Sequence, residues 1–541
     1  MNRYTLYWNT RRTSVKKFRW ASLLAFVWLC AGPGLIGPGH LAAQTSTIIT
    51  DEDALFGEDA PDTLDPQLSS GTGNTSSAPA GSAGTGAGST LGSTSGSATA
   101  AFLKRDQVRI GGSFSGNLKT SFTWTNPWEG NGKLLDPDNS RLDPTIASTL
   151  FFDARPEEDF RVYGSVKTAW PFTSTSTFLT SAQYIGSPSP QVVTTQESLT
   201  TLNLQVFELF ADFSWKDAAF FRFGKHTVKW GVGYFFSPAD VLNLTSIDVT
   251  DPTAQREGPI SLRAHIPVPG TQNNFWGYIL LPGSAATGDT NQINSTSGTG
   301  SQRAVFKPED AGYAGKAEFL IGNYEIGLGG LYQKDKAPRF MATATGSLGR
   351  FDMFAEAVAS WGNDRLYVTS ITPFTTESRD DRWYFQGTAG FLYTARDGYT
   401  TLAAQYYYNG EGYGYEERKD LVAQFRNLPS SLQESLAATV AGTLYGASQH
   451  YGAISLSRSQ LFVKDLSASI LVMANLADLS GFVTPSIQYR LFSYVSLSIS
   501  PTFVWYMDGL WGTGKDSEYV LLNRGPAISI SLSASLGSGR F

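Results

Sequence analysis

Val495 to Ser500 reads VSLSIS and Ile528 to Leu536 reads ISISLSASL, and in both stretches apolar residues alternate strictly with serine. A period of two is the signature of a β-strand with one apolar face and one small polar face. A soluble sandwich would bury the apolar face in a core. A membrane barrel would turn it toward lipid and leave the serines on the lumen. Alternation is common to both, so the decision falls to strand length, connection length and the placement of aromatic residues.

Eighteen segments read as strands, at 107–125, 146–155, 158–172, 200–214, 217–229, 258–267, 273–282, 311–321, 323–333, 338–347, 350–361, 382–395, 399–409, 447–457, 460–473, 478–490, 492–506 and 527–541. Most are longer than the five or six residues usual in soluble sheets and match the roughly 9 to 11 that cross a bilayer at a tilt. The even-numbered connections are tight, among them Trp215 to Asp217 and Ile321 to Asn323, whereas most odd-numbered ones are long. An even strand count with short turns at one end and long loops at the other is the layout of a bacterial outer-membrane barrel. The expected fold is therefore all-β: a transmembrane antiparallel barrel of about 18 strands (16 to 18), spanning 106–541. Aromatics gather near strand ends, at Trp124, Trp128, Trp170, Trp215, Trp230, Trp361, Trp383, Tyr406 to Tyr408, Trp505 and Tyr506, which suits girdles at the headgroups. Trp276 stands apart in mid-strand.

Composition narrows the alternatives. Of 541 residues only 16% are charged and 13% are aromatic, with 55 Gly and one Cys. Soluble proteins carry about 25% charged residues. Mean hydropathy is −0.16, and past the N-terminus no run is long and apolar enough for helical spans, which need about 20 residues each. Cys30 has no partner for a disulfide framework.

Residues 1–43 read as a secretory signal peptide: Arg3, Arg11, Arg12, Lys16, Lys17 and Arg19 without an acidic residue, the apolar run Ala21 to Cys30, and small residues before a cleavage point after Ala43. Its removal takes six positive charges from a chain of net charge −6, leaving −12. Such acidity argues against nucleic acid as a partner. Residues 44–68 form an acidic segment expected in the periplasm, and 69–100 are a Ser/Gly/Thr/Ala-rich linker. Leu55 and Phe56 are two adjacent large apolar residues in the acidic segment and are candidates for docking a periplasmic partner. At the other end Phe541 has the opposite parity to Leu532, Ala534 and Leu536, which a bulge near Gly537 or Gly539 would reconcile.

The stretch FRFGKHTVKWGVGYFFSPADVLNL (Phe221 to Leu244), followed by DPTAQREGPISLRAHIP (Asp251 to Pro267), carries the most specific pattern. Its Arg222-x-Gly224-Lys225, Trp230-Gly231-x-Gly233, Pro238-x-Asp240-x-x-Asn243 and Arg256-x-Gly258 resemble outer-membrane porin-like barrels of the alginate-export and related uncharacterised porin families. The acidic DEDALFG stretch is similarly like the N-terminal segments of spirochaetal outer-membrane proteins. The resemblance covers about fifty residues by motif and implies a porin fold, with outer-membrane lipid as its surroundings and the barrel-assembly machinery reading a terminal aromatic such as Phe541.

Alternation predicts the lumen side. With Phe221 and Phe223 outward, Arg222, Gly224 and His226 point in; with Ile260, Leu262 and Ile266 outward, Ser261, Arg263 and His265 point in; with Leu209, Ala211 and Phe213 outward, Glu208 and Asp212 point in. Charges on a lumen wall impose a transverse field that selects solutes. The same residues could equally form an ion-pair network that fixes loop and wall. The connection from Trp230 to Glu257 is the third long loop, and Gly231 and Gly233 let the chain leave the wall sharply. Asp240 and Asn243 are expected to bond amides two or three residues on. The loop from Gly410 to Gly446 holds two amphipathic stretches, EERKDLVAQFRN and SSLQESLAATVAG, expected as short helices of a cap or plug.

An enzyme would need an activated nucleophile and a base. After the signal the chain has only His226, His265 and His450 and no G-x-S-x-G elbow, so neither catalysis nor a metal or cofactor is expected, although the two strand histidines could pair with Asp212. The expectation is a passage for small hydrophilic solutes, with a surface adhesin or structural barrel as the alternative.

Overall fold

The computed structural model describes residues 107–124, 136–185, 191–244, 247–281, 307–371, 373–429, 433, 444, 446–509, 512–513, 517–519 and 527–540. The signal segment, the acidic segment with Leu55 and Phe56, the linker, Trp128 and Phe541 lie outside them.

Eighteen strands close into one antiparallel barrel. They are β1 Val108–Thr123, β2 Asn139–Glu157, β3 Phe160–Ile185, β4 Gln191–Trp215, β5 Ala219–Lys225, β6 Ile260–Pro267, β7 Asn274–Leu280, β8 Gly312–Ile321, β9 Tyr324–Tyr332 and β10 Arg339–Leu348. The remainder are β11 Phe351–Trp361, β12 Trp383–Thr394, β13 Thr400–Asn409, β14 His450–Arg458, β15 Leu466–Asn475, β16 Ser480–Phe492, β17 Val495–Tyr506 and β18 Ala527–Arg540. Each pairs with the next in sequence, and β18 pairs with β1 from Thr123↔Ala527 to Gly111↔Arg540. Along that seam Gly112 faces Gly539 and Phe114 faces Leu536, so β18 carries one more residue than β1 between the two pairs. This is the bulge that the parity of the last strand required.

The two faces of the wall have inverted polarity. Ile110, Phe114, Leu118, Leu150, Phe223, Leu328, Phe385, Ile454, Ile487 and Leu532 are all exposed on the outside. Inward positions of the VSLSIS and ISISLSASL stretches are serines, with Ser498 and Ser531 hydroxyls 2.5 Å apart across β17 and β18. Apolar groups outside and hydroxyls inside are stable only where lipid surrounds the wall. Tight turns join the strands at one end. At Lys216 and Asp217 both φ values are 53°, the left-handed pair of a turn that the Ala218 N–H closes on the Trp215 carbonyl at 3.1 Å and that matches strand twist.

Three expectations need correction. The connection between β3 and β4 is not a long loop: the strands run on as a paired ribbon to Ile185↔Gln191. Serine and threonine fill about half of the positions there, including all of Thr173 to Thr177, and hide the period of two. Trp230 is not a girdle residue but is buried within the fold, as is Trp124, while Trp170, Trp215, Trp361 and Trp383 are exposed as girdles require. Of the tyrosine triplet, Tyr407 faces inward and stacks on Phe236 at 5.1 Å.

On the long-loop rim, a helix α1 (Tyr415–Arg426) follows β13, with Glu416 and Glu417 in its first turn and Arg426 in its last, each sign favourable to the helix dipole. Leu421, Val422 and Phe425 pack on Tyr367, Val368 and Ile371 of a loop hairpin between β11 and β12. Arg418 is ion-paired with Asp478 at 2.8 Å, and Glu518 accepts bonds from Gly446 N and from the side chains of Ser448, Tyr451 and Asn475. The second expected helix lies outside the described residues apart from Gln433 and Leu444.

Candidate functional site

The inner wall from β2 to β6 carries a row of opposed charges, because alternation places one charged residue of each strand beside the next. Asp153, Arg161, Asp212, Arg222 and Arg263 stand on five successive strands. Arg222 grips Asp212 with a two-pronged fork, Nε to Oδ1 at 2.6 Å and Nη2 to Oδ2 at 3.0 Å, and its guanidinium lies 4.0 Å from the Phe210 ring centre. Arg161 grips Asp153 in the same way, at 2.8 and 3.3 Å. Paired forks of this kind fix geometry as well as charge. Arg263 sits over Trp276, whose indole stacks on His265 at 3.8 Å and donates to Glu318 at 2.7 Å. Trp276 is therefore an inward residue, which explains its mid-strand place.

The setting of these residues is not an open wall. Glu208, Arg222, His226, Ser261 and Arg263 are all buried. The segment 226–259, which His226 begins, lies against this wall. The Glu208 carboxylate accepts the Thr227 N–H at 3.2 Å, and Lys225 is tied to Glu257 and to the Val206 carbonyl. His226, one residue past β5, engages the Gly224 carbonyl through Nδ1 at 3.2 Å. Burial, then the Arg222 and Arg263 charges, hold its pKa well below the ordinary imidazole value, so the ring is neutral at pH 7. His265 engages Asn274 at 2.9 Å. Asp212 is occupied by Arg222 and Arg161, so neither histidine pairs with it.

The motif residues build the segment's own framework. Asn243 reaches back to Val228, accepting its N–H at 3.1 Å and donating to its carbonyl, and also donates to Asp240 at 2.9 Å. Asp240 pairs with Arg256. The expected short-range turn bonds are thus replaced by a cross-segment clamp. Pro238 opens the turn closed by Asp240 N to Ser237 O at 3.1 Å. Gly258 is required because a Cβ would overlap the His226 carbonyl, and Gly231 because one would strike Ser237 and Glu356.

Two residues that alternation did not single out hold the far side. Glu356, inward on β11, accepts Val232 N and Gly233 N at 2.5 Å each, Ser237 Oγ at 2.8 Å and Ala239 N at 2.9 Å. Successive backbone N–H groups converging on one carboxylate form an anion-binding nest. Gln405 on β13 accepts Phe235 N at 2.6 Å and returns a bond to the Phe236 carbonyl. Lys316 on β8 donates to the Trp230 carbonyl at 3.1 Å, and the Trp230 indole meets Met341 and packs edge-on to Tyr278 at 5.1 Å. Val228, Trp230, Ala239 and Leu242 form an apolar cluster with Met341 and Val358 of the inner wall. The signal was present in the sequence: Glu356 is a lone inward charge in FAEAVAS, and Gln405 a lone inward amide in LAAQYY.

No family model matches the chain, and no curated protein is similar to it. Among solved structures, OmpF of Salmonella typhi in complex with daunomycin aligns at 10% identity and TM-score 0.36, covering 80% of this chain and 99% of its own. OpdO of Pseudomonas aeruginosa aligns at 11% and 0.42, covering 81% and 98%. A BenF-like porin from Pseudomonas fluorescens aligns at 10% and 0.41, covering 80% and 99%. At these values none of the three bears on function, which is read from this chain's residues alone.

Proposed function

We propose that this protein is a bacterial outer-membrane channel for passive diffusion of small hydrophilic solutes, narrowed by the segment 226–259 folded inward as its third loop. The observation that carries the reading is the reach of that segment. It leaves the wall at β5, yet its amides are held by Glu356 on β11 and Gln405 on β13, both inward-facing. A connection bonded to the inner wall six strands away occupies lumen rather than solvent above it. Constriction beside the Arg222, Arg263, Glu208 and Asp212 row would bring permeating ions into its field, with His226 and His265 flanking it.

In this reading residues 1–43 direct secretion, 44–68 extend into the periplasm with Leu55 and Phe56 docking a partner there, and Phe541 is read by the barrel-assembly machinery. The motif set Trp230, Gly231, Gly233, Pro238, Asp240, Asn243, Arg256 and Gly258 shapes the constriction. Purified protein in planar bilayers should give discrete conductance steps. Absence of current from correctly folded barrels, alongside saturable binding of a surface ligand, would replace the channel with the adhesin reading.

A further inference from the structure

The strongest charges of the inner wall are withdrawn from water or cancelled. Glu208, Arg222, Arg263, Lys316 and Glu356 are buried. Of those left partly exposed, Arg161 is paired with Asp153, Asp212 with Arg222 and Glu318 with Lys316, at 2.8, 2.6 and 2.7 Å. The segment 226–259 lies against this side of the wall and is bonded to it.

The arc from β16 to β18 is different in kind. Residues 480–489, 495–506 and 527–536 contain no charged side chain. Ile487, Ile499, Ile530 and Leu532 are exposed on the lipid side, so alternation turns Thr484, Ser486 and Gln488 inward on β16, with every second residue of 496–502 and of 529–535 on the next two strands. All of these inward positions are hydroxyls except Gln488, and none is buried. The arc runs on into β1 through the exposed Ser113 and Ser115, and the first charges met there, Lys119 and Asp143, are register partners of opposite sign.

A solute beside this arc therefore meets a grid of uncharged hydroxyls. Inward positions repeat about every 6.6 Å along a strand and about every 4.8 Å between strands, the scale of a single sugar ring. The pairs Thr484–Thr502, Ser486–Ser500 and Ser498–Ser531 each use one O–H in their shared bond and leave a second hydrogen and further lone pairs to offer. Such a wall can replace the water around a solute that is itself covered in hydroxyls, bond for bond. An ion loses hydration that neutral hydroxyls repay poorly. We infer, on the channel reading above, that the β16–β18 arc is the specificity-determining wall and that the solutes it favours are neutral and polyhydroxylated, of the monosaccharide and polyol class.

Tracer uptake into liposomes holding the purified protein would compare arabinose with its aldonate anion, arabinonate, and with triethylene glycol, a neutral molecule of the same mass with ether oxygens in place of most hydroxyls. Arabinose should enter faster than either, by about fivefold for one net hydrogen bond gained at the wall. The combined change Ser486→Ala, Ser498→Ala, Ser500→Ala and Ser531→Ala removes both members of two pairs and so strands no partner. It should bring arabinose down to the glycol rate and leave the glycol rate and the ion conductance as in the parent. Threonine at the same four positions keeps the hydroxyls and should keep the preference. Heat-modifiable gel migration would report folding, and if the alanine set does not fold, the parent's own rates decide. Arabinose no faster than triethylene glycol, arabinonate as fast as arabinose, or a preference that survives in the folded alanine set overturns the inference. Uptake ordered by size alone would leave the channel standing without this selectivity, whereas no uptake and no current would remove the channel itself.

Discussion

Two arcs of one wall share the same alternation and end in different states. Across β16, β17 and β18 the inner face is hydroxyl against hydroxyl: Thr484 to Thr502 at 3.0 Å, Ser486 to Ser500 at 2.8 Å and Ser498 to Ser531. From β2 to β13 the inner face carries Asp153, Arg161, Arg222, Lys316, Glu356 and Gln405, and the segment 226–259 is bound to it. Small hydroxyls satisfy one another across the ladder and reach no further. A carboxylate or amide on a longer stem extends past its neighbours and can hold a loop's backbone. Alternation thus decides which way a side chain points, and its length and charge decide whether polypeptide gathers beside it.

The sharpest way to break this contrast is Glu356→Ala. It strands three buried-side amides and the Ser237 hydroxyl, at a cost of about 3 kcal/mol or more. The segment should detach, so single-channel conductance should rise and the segment should become open to protease; unchanged conductance with full protection would mean that the wall's charges do not hold it. Next comes Arg222→Ala, which leaves Asp212 with only the 3.9 Å contact to Arg161. A cost of about 3 kcal/mol is expected for breaking such a pair, along with a shift toward cation selectivity, read as the reversal potential across a salt gradient.

A third effect is smaller and depends on pH. Burial lifts the Glu518 carboxyl above its ordinary value. The folded rim therefore holds this proton more tightly than a loosened rim would. Its contribution is full below the ordinary carboxylate value and is lost as pH rises through the raised one. Protection of the amides from Gly446 to Tyr451, taken relative to their intrinsic exchange at each pH, should fall over that rise in the parent and much less in Glu518→Gln. Smallest of all is the paired change Ser498→Ala with Ser531→Ala. Removing both partners of one neutral bond should cost about 1 kcal/mol or less and leave conductance unaltered. A large conductance change there would show that the hydroxyl arc bears on permeation as much as the charged one.

The barrel of eighteen strands and the seam bulge were legible because each follows from a period of two counted along a single strand. What was not legible depends on closure. Glu356 meets Val232 across 124 positions of sequence, a contact that no local pattern encodes. Trp230 looked like a girdle residue because it follows a strand, and only the path of the chain after Lys225 carries it inside. The β3–β4 ribbon escaped notice since serine and threonine suit either face. The burial of Glu208 beside this segment was not legible either, since it depends on the clamp that Asn243, Asp240 and Arg256 make across it.

The β1–β18 seam also governs how this molecule comes to exist. Its register partners lie at opposite ends of the described chain, so every other ladder can form between sequence neighbours while this one waits. Until the last strand arrives, β1 and β17 are open edges in contact with lipid that cannot satisfy them. Loop-closure entropy falls on that single pairing. Loss of β18 would therefore give not a narrower barrel but a sheet with two unsatisfied margins.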